Sequence, residues 1–154
     1  MAKNMMSADY RKIDVDALDE ERYIEEEGQN AYDTASSGPD ERNVQAMLSS
    51  SRLVDALHAG LANPPLAAKD QQVKDRSTLL VVKVLQTFKN SEIEPAIKAL
   101  SADEGDILMK YIYKGMELNQ DTAVATSLLL WHSLVINHFG LGTIMRVFSE
   151  RQRL

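Results

Sequence analysis

From Pro39 onward, apolar residues recur three and four positions apart in short segments, and each segment is bounded by a proline, a glycine or a polar cap. That spacing lines up side chains on one stripe of an α-helix. The repeated interruptions divide the stretch into about seven short helices. Pro39 opens the first, with Val44, Met47 and Leu48 on one side. The second covers roughly Arg52 to Ala62, with Leu53, Leu57 and Leu61 aligned, and Asn63-Pro64-Pro65 stops it because proline cannot continue the hydrogen-bond ladder. Ser50 or Ser51 is expected to be its N-cap. A third spans about Asp70 to Lys89. Its centre, Leu79 to Leu85, is apolar almost all round and predicts a buried helix. Val81, Val82 and Val84 would also suit a buried strand, but no second strand with turn chemistry is present to pair with it.

Two hydroxyl–carboxylate pairs predict the next starts. Ser91-x-x-Glu94 would box the fourth helix and Ser101-x-x-Glu104 the fifth. Gly115 reads as a left-handed cap ending the fifth. Asp121 or Thr122 caps a sixth that runs to Phe139, with Leu128-Leu-Leu-Trp131 buried on more than one side and Gly140 ending it. A last amphipathic helix begins near Gly142, with Ile144, Val147 and Phe148 inward and Arg146, Glu150 and Arg151 outward. The expected fold is all-α, a stack of short antiparallel helices over residues 39–154. Hydrophobic content of 44% with only 6% aromatic residues favours such an aliphatic core over a β-sandwich.

Residues 1–38 are different. Residues 1–44 carry twelve acids and five bases, net −7, whereas residues 45–154 carry eleven and twelve, net +1. The acids concentrate between Asp14 and Glu27, and a Gly-, Ser-, Asn- and Thr-containing stretch follows to Gly38. Such a segment cannot bury enough apolar surface to offset its ordering entropy, so an extended arm, disordered when free, is expected. Ile13 and Val15 alternate with Lys12, Asp14 and Asp16, as suits a strand laid in a partner's groove. A solvated acidic tail is the other reading of the same residues.

Chemistry is sparse. There is no cysteine, which removes disulfides and thiolate zinc sites and fits a reducing compartment. His58, His132 and His138 form no His-x-x-x-His or His-Glu-x-x-His pattern. Asp103-Glu-Gly-Asp106 lacks the alternating oxygen ligands of a calcium loop and reads as the acidic first turn of a helix. Ser49-Ser-Ser51 has no glycine elbow and no paired histidine, and Gly140-Leu-Gly142 has no strand before it. Catalysis, cofactors and small-molecule substrates are therefore not expected. The body has no basic stripe for nucleic acid, and no apolar run reaches the roughly 20 residues of a membrane helix. Met1-Ala-Lys-Asn-Met-Met-Ser7 is too polar for a signal peptide, so a cytoplasmic location is the expectation. Lys110 and Lys114 share a helix face. They form either a solvated edge over a buried Ile107, Leu108, Tyr111 and Ile112 stripe, or part of a surface in which Tyr113, Lys114 and Met116 meet another protein.

Asp106-Ile-Leu-Met-Lys-Tyr-Ile-Tyr-Lys-Gly-Met116 also resembles the most characteristic stretch of the smallest, 16 kDa subunit family (subunit 5) of the actin-related protein 2/3 complex. Arg11-Lys-Ile-Asp-Val-Asp16, Asn63-Pro-Pro65, Val73-Lys-Asp-Arg76, Lys83-Val-Leu85, Glu92-Ile-Glu94 and Leu129-Leu-Trp131 resemble that family in order and spacing. Residues 28–40 follow no family pattern, and Arg151-Gln-Arg-Leu154 stands where a basic pair and Thr-Val would be expected. The resemblance implies a noncatalytic structural subunit at actin-rich sites of the cytoskeleton. It implies a body docked on subunit 4 and the β-propeller subunit, with an arm, through Arg11, Lys12, Ile13, Asp14, Val15 and Asp16, reaching an actin-related subunit. Without the resemblance, a free-standing α-solenoid adaptor for peptides and a small helical enzyme are the other classes. The enzyme would need a pocket with converging polar groups.

Overall fold

A computed structural model describes residues 38–154. The expected arm, including Arg11 to Asp16, lies outside the described residues. Among those residues there are seven α-helices and no strand: α1 (Glu41–Ser49), α2 (Leu53–Leu61), α3 (Gln71–Thr87), α4 (Asn90–Lys98), α5 (Ala102–Leu118), α6 (Thr122–Phe139) and α7 (Gly142–Ser149). Short polar side chains open four of them. Asp40 accepts from the Arg42 and Asn43 N–H groups, Asp70 from Gln72 and Asp121 from Ala123. At Ser101 the expected box is complete: its hydroxyl accepts from the Glu104 N–H, and Glu104 accepts from the Ser101 N–H at 2.8 Å.

Helix α5 is the hub, packing against α2, α3, α6 and α7. Its Leu108, Met109, Tyr111 and Ile112 are fully enclosed together with Leu57, Val81, Val84, Leu85, Leu128 and Trp131. Trp131 is core, as its position predicts. Its indole N–H donates to the Leu85 carbonyl at 3.3 Å, and its ring meets Phe88 edge-on with centroids 5.3 Å apart.

Two glycines of α5 let its neighbours lie close, Gly105 against α6 and Gly115 against both α3 and α6. A Cβ at Gly115 would stand 2.7 Å from Val82 Cγ2 and 3.2 Å from Leu128 Cδ1; one at Gly105 would stand 2.7 Å from the Phe139 ring. Gly115 thus faces Leu128 and Gly105 faces Phe139. The two helices run antiparallel, with notches spaced about 15 Å along α5 and about 16.5 Å along α6 at 1.5 Å per residue.

Several expectations require correction. Gly115 does not end α5, which continues to Leu118; it is a packing notch inside the helix. The carboxylate that boxes the start of the fourth helix is Glu92, not Glu94. Phe88 takes an extended backbone (ψ 138°) that ends α3 and leaves Lys89 as the N-cap of α4, where Glu92 accepts the Lys89 N–H at 3.2 Å and Glu94 instead pairs with Lys98. Neither Ser50 nor Ser51 caps α2. Ser50 closes α1 with its hydroxyl on Ala46 O, Ser51 takes a left-handed φ of 58°, and Arg52 is the capping position. Leu79, inside the supposedly all-buried stretch of α3, is half exposed, as is Leu129 in α6. Helices α6 and α7 are not antiparallel; they meet at 109° across Gly140, whose φ of +82° turns the chain.

Candidate docking surface

Helix α6 carries no Asp, Glu, Lys or Arg over its eighteen residues, and α7 carries only Arg146. Arg146 is engaged by Asp106, at 2.5 and 2.9 Å to the two carboxylate oxygens. That bond holds the Arg146 guanidinium above its ordinary pKa. Neither helix therefore presents a free charged side chain from Asp, Glu or Lys, and the one arginine is already paired. Val124, Leu128, Trp131 and Val135 point into the body, leaving Thr126, Leu129, Ser133 and Asn137 outside. On α7, Thr143 is fully enclosed, whereas Met145, Phe148 and the N-cap residue Leu141 are 68%, 63% and 70% exposed. These three recur at i, i+4, i+7 and form one apolar stripe. Phe148 was expected inward. It lies outward because Ile144 and Val147 take the half-buried side.

Beside this stripe lies a cavity of about 260 Å³ lined by Tyr113, Lys114, Val147, Phe148 and Leu154 among others. Tyr113 is its fixed wall. Its phenol oxygen lies 3.1 Å from His132 Nε2, and its ring centroid is 5.6 Å from that of Phe148. Lys114 is mostly buried, its side chain 12% exposed, 3.1 Å from Glu117 and 3.7 Å from Asp75. Met116 packs partly against the core. Tyr113 and Lys114 therefore border the cavity together.

Lys110 is not a solvated edge. Only 6% exposed, its ammonium is held by the Glu150 carboxylate and donates to the Gln152 carbonyl at 3.2 Å. Lys74 donates to the Arg153 carbonyl at 2.6 Å, and Leu154 packs against the core. The last five residues are thus strapped across α5. Burial, and then the neighbouring Lys114, push the Lys74 pKa below the usual lysine range. Burial also pushes the Tyr111 phenol up, and its hydroxyl is without a protein partner.

The histidines are dispersed. His58 Nδ1 lies 2.6 Å from Glu104 and joins α2 to α5; His132 meets Tyr113; His138 stands edge-on to Phe139. Among the described residues no three His, Cys, Asp or Glu side chains gather as a metal site, and no single helix is long and apolar enough to cross a membrane. The outward stripe on α7 escaped sequence reasoning. The absence of charge from Thr122 to Met145 was the signal that could have found it, because soluble faces normally carry charge and interface cores are depleted of it.

Comparison with known proteins gives one result throughout. The family model described as the ARP2/3 complex 16 kDa subunit (p16-Arc) matches residues 9–154. The chain is similar to the probable actin-related protein 2/3 complex subunit 5 of Caenorhabditis elegans, at 44% identity over 97% of this chain and the whole of that one. It is similar to subunit 5-C of Xenopus laevis at 43% and to the subunit 5-like protein of Homo sapiens at 41%, each over 99% of both chains.

Proposed function

The chain belongs to the family of the ARP2/3 complex 16 kDa subunit, and from that premise we propose that it is a noncatalytic structural subunit supporting actin nucleation and branching. The helical body docks on subunit 4 and the β-propeller subunit, and residues 1–38 tether an actin-related subunit through Arg11 to Asp16. Its location is the actin-rich cytoplasm.

The observation that carries the docking role is the exposed apolar stripe of Leu141, Met145 and Phe148, beside the cavity bordered by Tyr113 and Lys114. Contiguous exposed apolar surface is costly in water unless a partner covers it. Tyrosine and methionine suit interface cores, where apolar area and adaptability are both useful.

The test is to tag the chain in its native cytosol and measure co-purifying proteins. Stoichiometric recovery of the other subunits is expected, and Met145→Asp with Phe148→Asp should lose them while cooperative unfolding, followed by Trp131 fluorescence, persists. Full recovery with the double variant would move docking to another face. Recovery of the natural chain alone would favour the free-standing adaptor. Deleting residues 1–27 should leave the body incorporated but loosen one actin-related subunit. Micromolar ATP binding by the purified chain would refute the noncatalytic role.

A further inference from the structure

The composition of residues 28–38 reads as a loose linker, but its last residue is not free. Gly38 has φ +77°, in the left-handed region that L side chains rarely adopt. A Cβ there would stand 2.5 Å from Ser77 Oγ, with Ser77 Cβ at 3.7 Å and Pro65 Cγ at 3.8 Å. The obstacle is fixed: Ser77 is 6% exposed, and its hydroxyl donates to Val73 O at 2.8 Å. On the other side, Pro39 has its φ locked by its ring, and Asp40 accepts from the first turn of α1. One turn on, Arg76 pairs with Glu41 at 2.7 Å and joins α3 to α1.

We propose that Gly38 is a positioning residue. Gly38-Pro39-Asp40 is an elbow docked on α3, and it fixes the point from which residues 1–37 begin. Position 38 admits glycine for two separable reasons, the sign of φ and the lack of room against Ser77. The use of this fixed origin in assembly rests on the tether proposed above; the elbow itself does not.

The chain has no cysteine, so spin labels can be placed at will. Ser37→Cys and Gln86→Cys on the full-length chain, with nitroxides attached, give a distance distribution by dipolar spectroscopy. A docked elbow predicts one narrow peak. Gly38→Ala should shift or broaden it. Ser77→Ala alone should leave it unchanged, because the serine hydroxyl bonds only within its own helix turn. Gly38→Asn with Ser77→Ala should restore it, since asparagine tolerates left-handed φ and the obstructing oxygen is gone. A broad distribution in the natural sequence, or a Gly38→Ala distribution matching it, overturns the proposal. The same variants in the assembled complex separate the two ideas. Retention of the arm-held subunit should fall with Gly38→Ala and return in the Gly38→Asn, Ser77→Ala pair. A narrow peak with retention unaffected even by deletion of residues 1–27 would leave the elbow standing and remove the tether.

Discussion

Lys110 and Glu150 should respond unequally to neutralisation. The lysine ammonium is 6% exposed and has two acceptors, Glu150 and the Gln152 carbonyl, whereas Glu150 is about half in water. Glu150→Gln leaves a buried cation with the carbonyl and a neutral amide. Breaking a fully buried pair this way costs about 3–5 kcal/mol. Because Glu150 is half exposed, the loss should be nearer that of one hydrogen bond to a charged group, about 1.5–3 kcal/mol. Lys110→Met removes the cation, keeps an apolar stem of similar length and releases Glu150 to solvent, so it should cost under about 1 kcal/mol. Adding Glu150→Gln to Lys110→Met should then cost under about 0.5 kcal/mol, which makes the coupling most of the Glu150 effect. Urea unfolding followed by Trp131, the single tryptophan, reads all four states of the cycle. With a slope of about 2 kcal/mol/M, Glu150→Gln should move the midpoint by about 1 M. Equal losses from the two single substitutions, adding without coupling, would refute the reasoning.

Trp131→Ala should cost about 3–5 kcal/mol in the same urea assay, since it removes a fully buried indole and its bond to Leu85 O; a loss under about 1 kcal/mol would place the residue outside the core. Gly115→Ala gains about 1 kcal/mol of helix propensity but crowds Val82, where overpacking costs about 1–3 kcal/mol. A net loss is expected by calorimetry, and it should shrink when Val82→Ala is present. Burial alone would raise the Glu104 pKa, but hydrogen bonds from the Ser101 N–H, His58 and the Ser101 hydroxyl outweigh it and hold it below the ordinary carboxylate range. A depressed folded pKa contributes stability above that range and loses it as pH falls through it. Glu104→Gln should therefore flatten the acid side of a stability profile measured between pH 7 and pH 3.

Local chemistry was legible in part: Ser101 and Glu104 form the expected box, whereas Ser91 and Glu94, just as close in sequence, do not, because α4 begins at Asn90 with Lys89 as its N-cap. Ser101 and Asp121 cap the helices they were expected to open, and Asp70 caps a helix whose start, but not whose cap, was expected there. Gly115 misled because glycine serves two ends, the left-handed cap and the close crossing, and only the positions of Val82 and Leu128 decide between them. The burial of Lys110 was hidden because its partner lies forty residues on. Phe148 was misassigned because the pattern of α7 gives an apolar stripe without saying whether body or solvent receives it. Of the candidate partner residues, Tyr113 and Lys114 border one cavity with Phe148, a residue the sequence had sent inward. Arg11 to Asp16 lie outside the described residues.

The two notches on α5 make the α5–α6 pair sensitive to chain length in one place and tolerant in another. Gly105 and Gly115 are ten residues apart, and Phe139 and Leu128 are eleven apart. A single residue inserted between either pair would rotate the far notch by about 100° and carry it about 1.5 Å along the axis, so that one seat is lost whenever the other is kept. The Asn119–Asp121 connection lies outside both intervals and is free of that constraint. Insertions and deletions among homologous chains should accordingly collect at residues 119–121 and be excluded from 105–115 and 128–139.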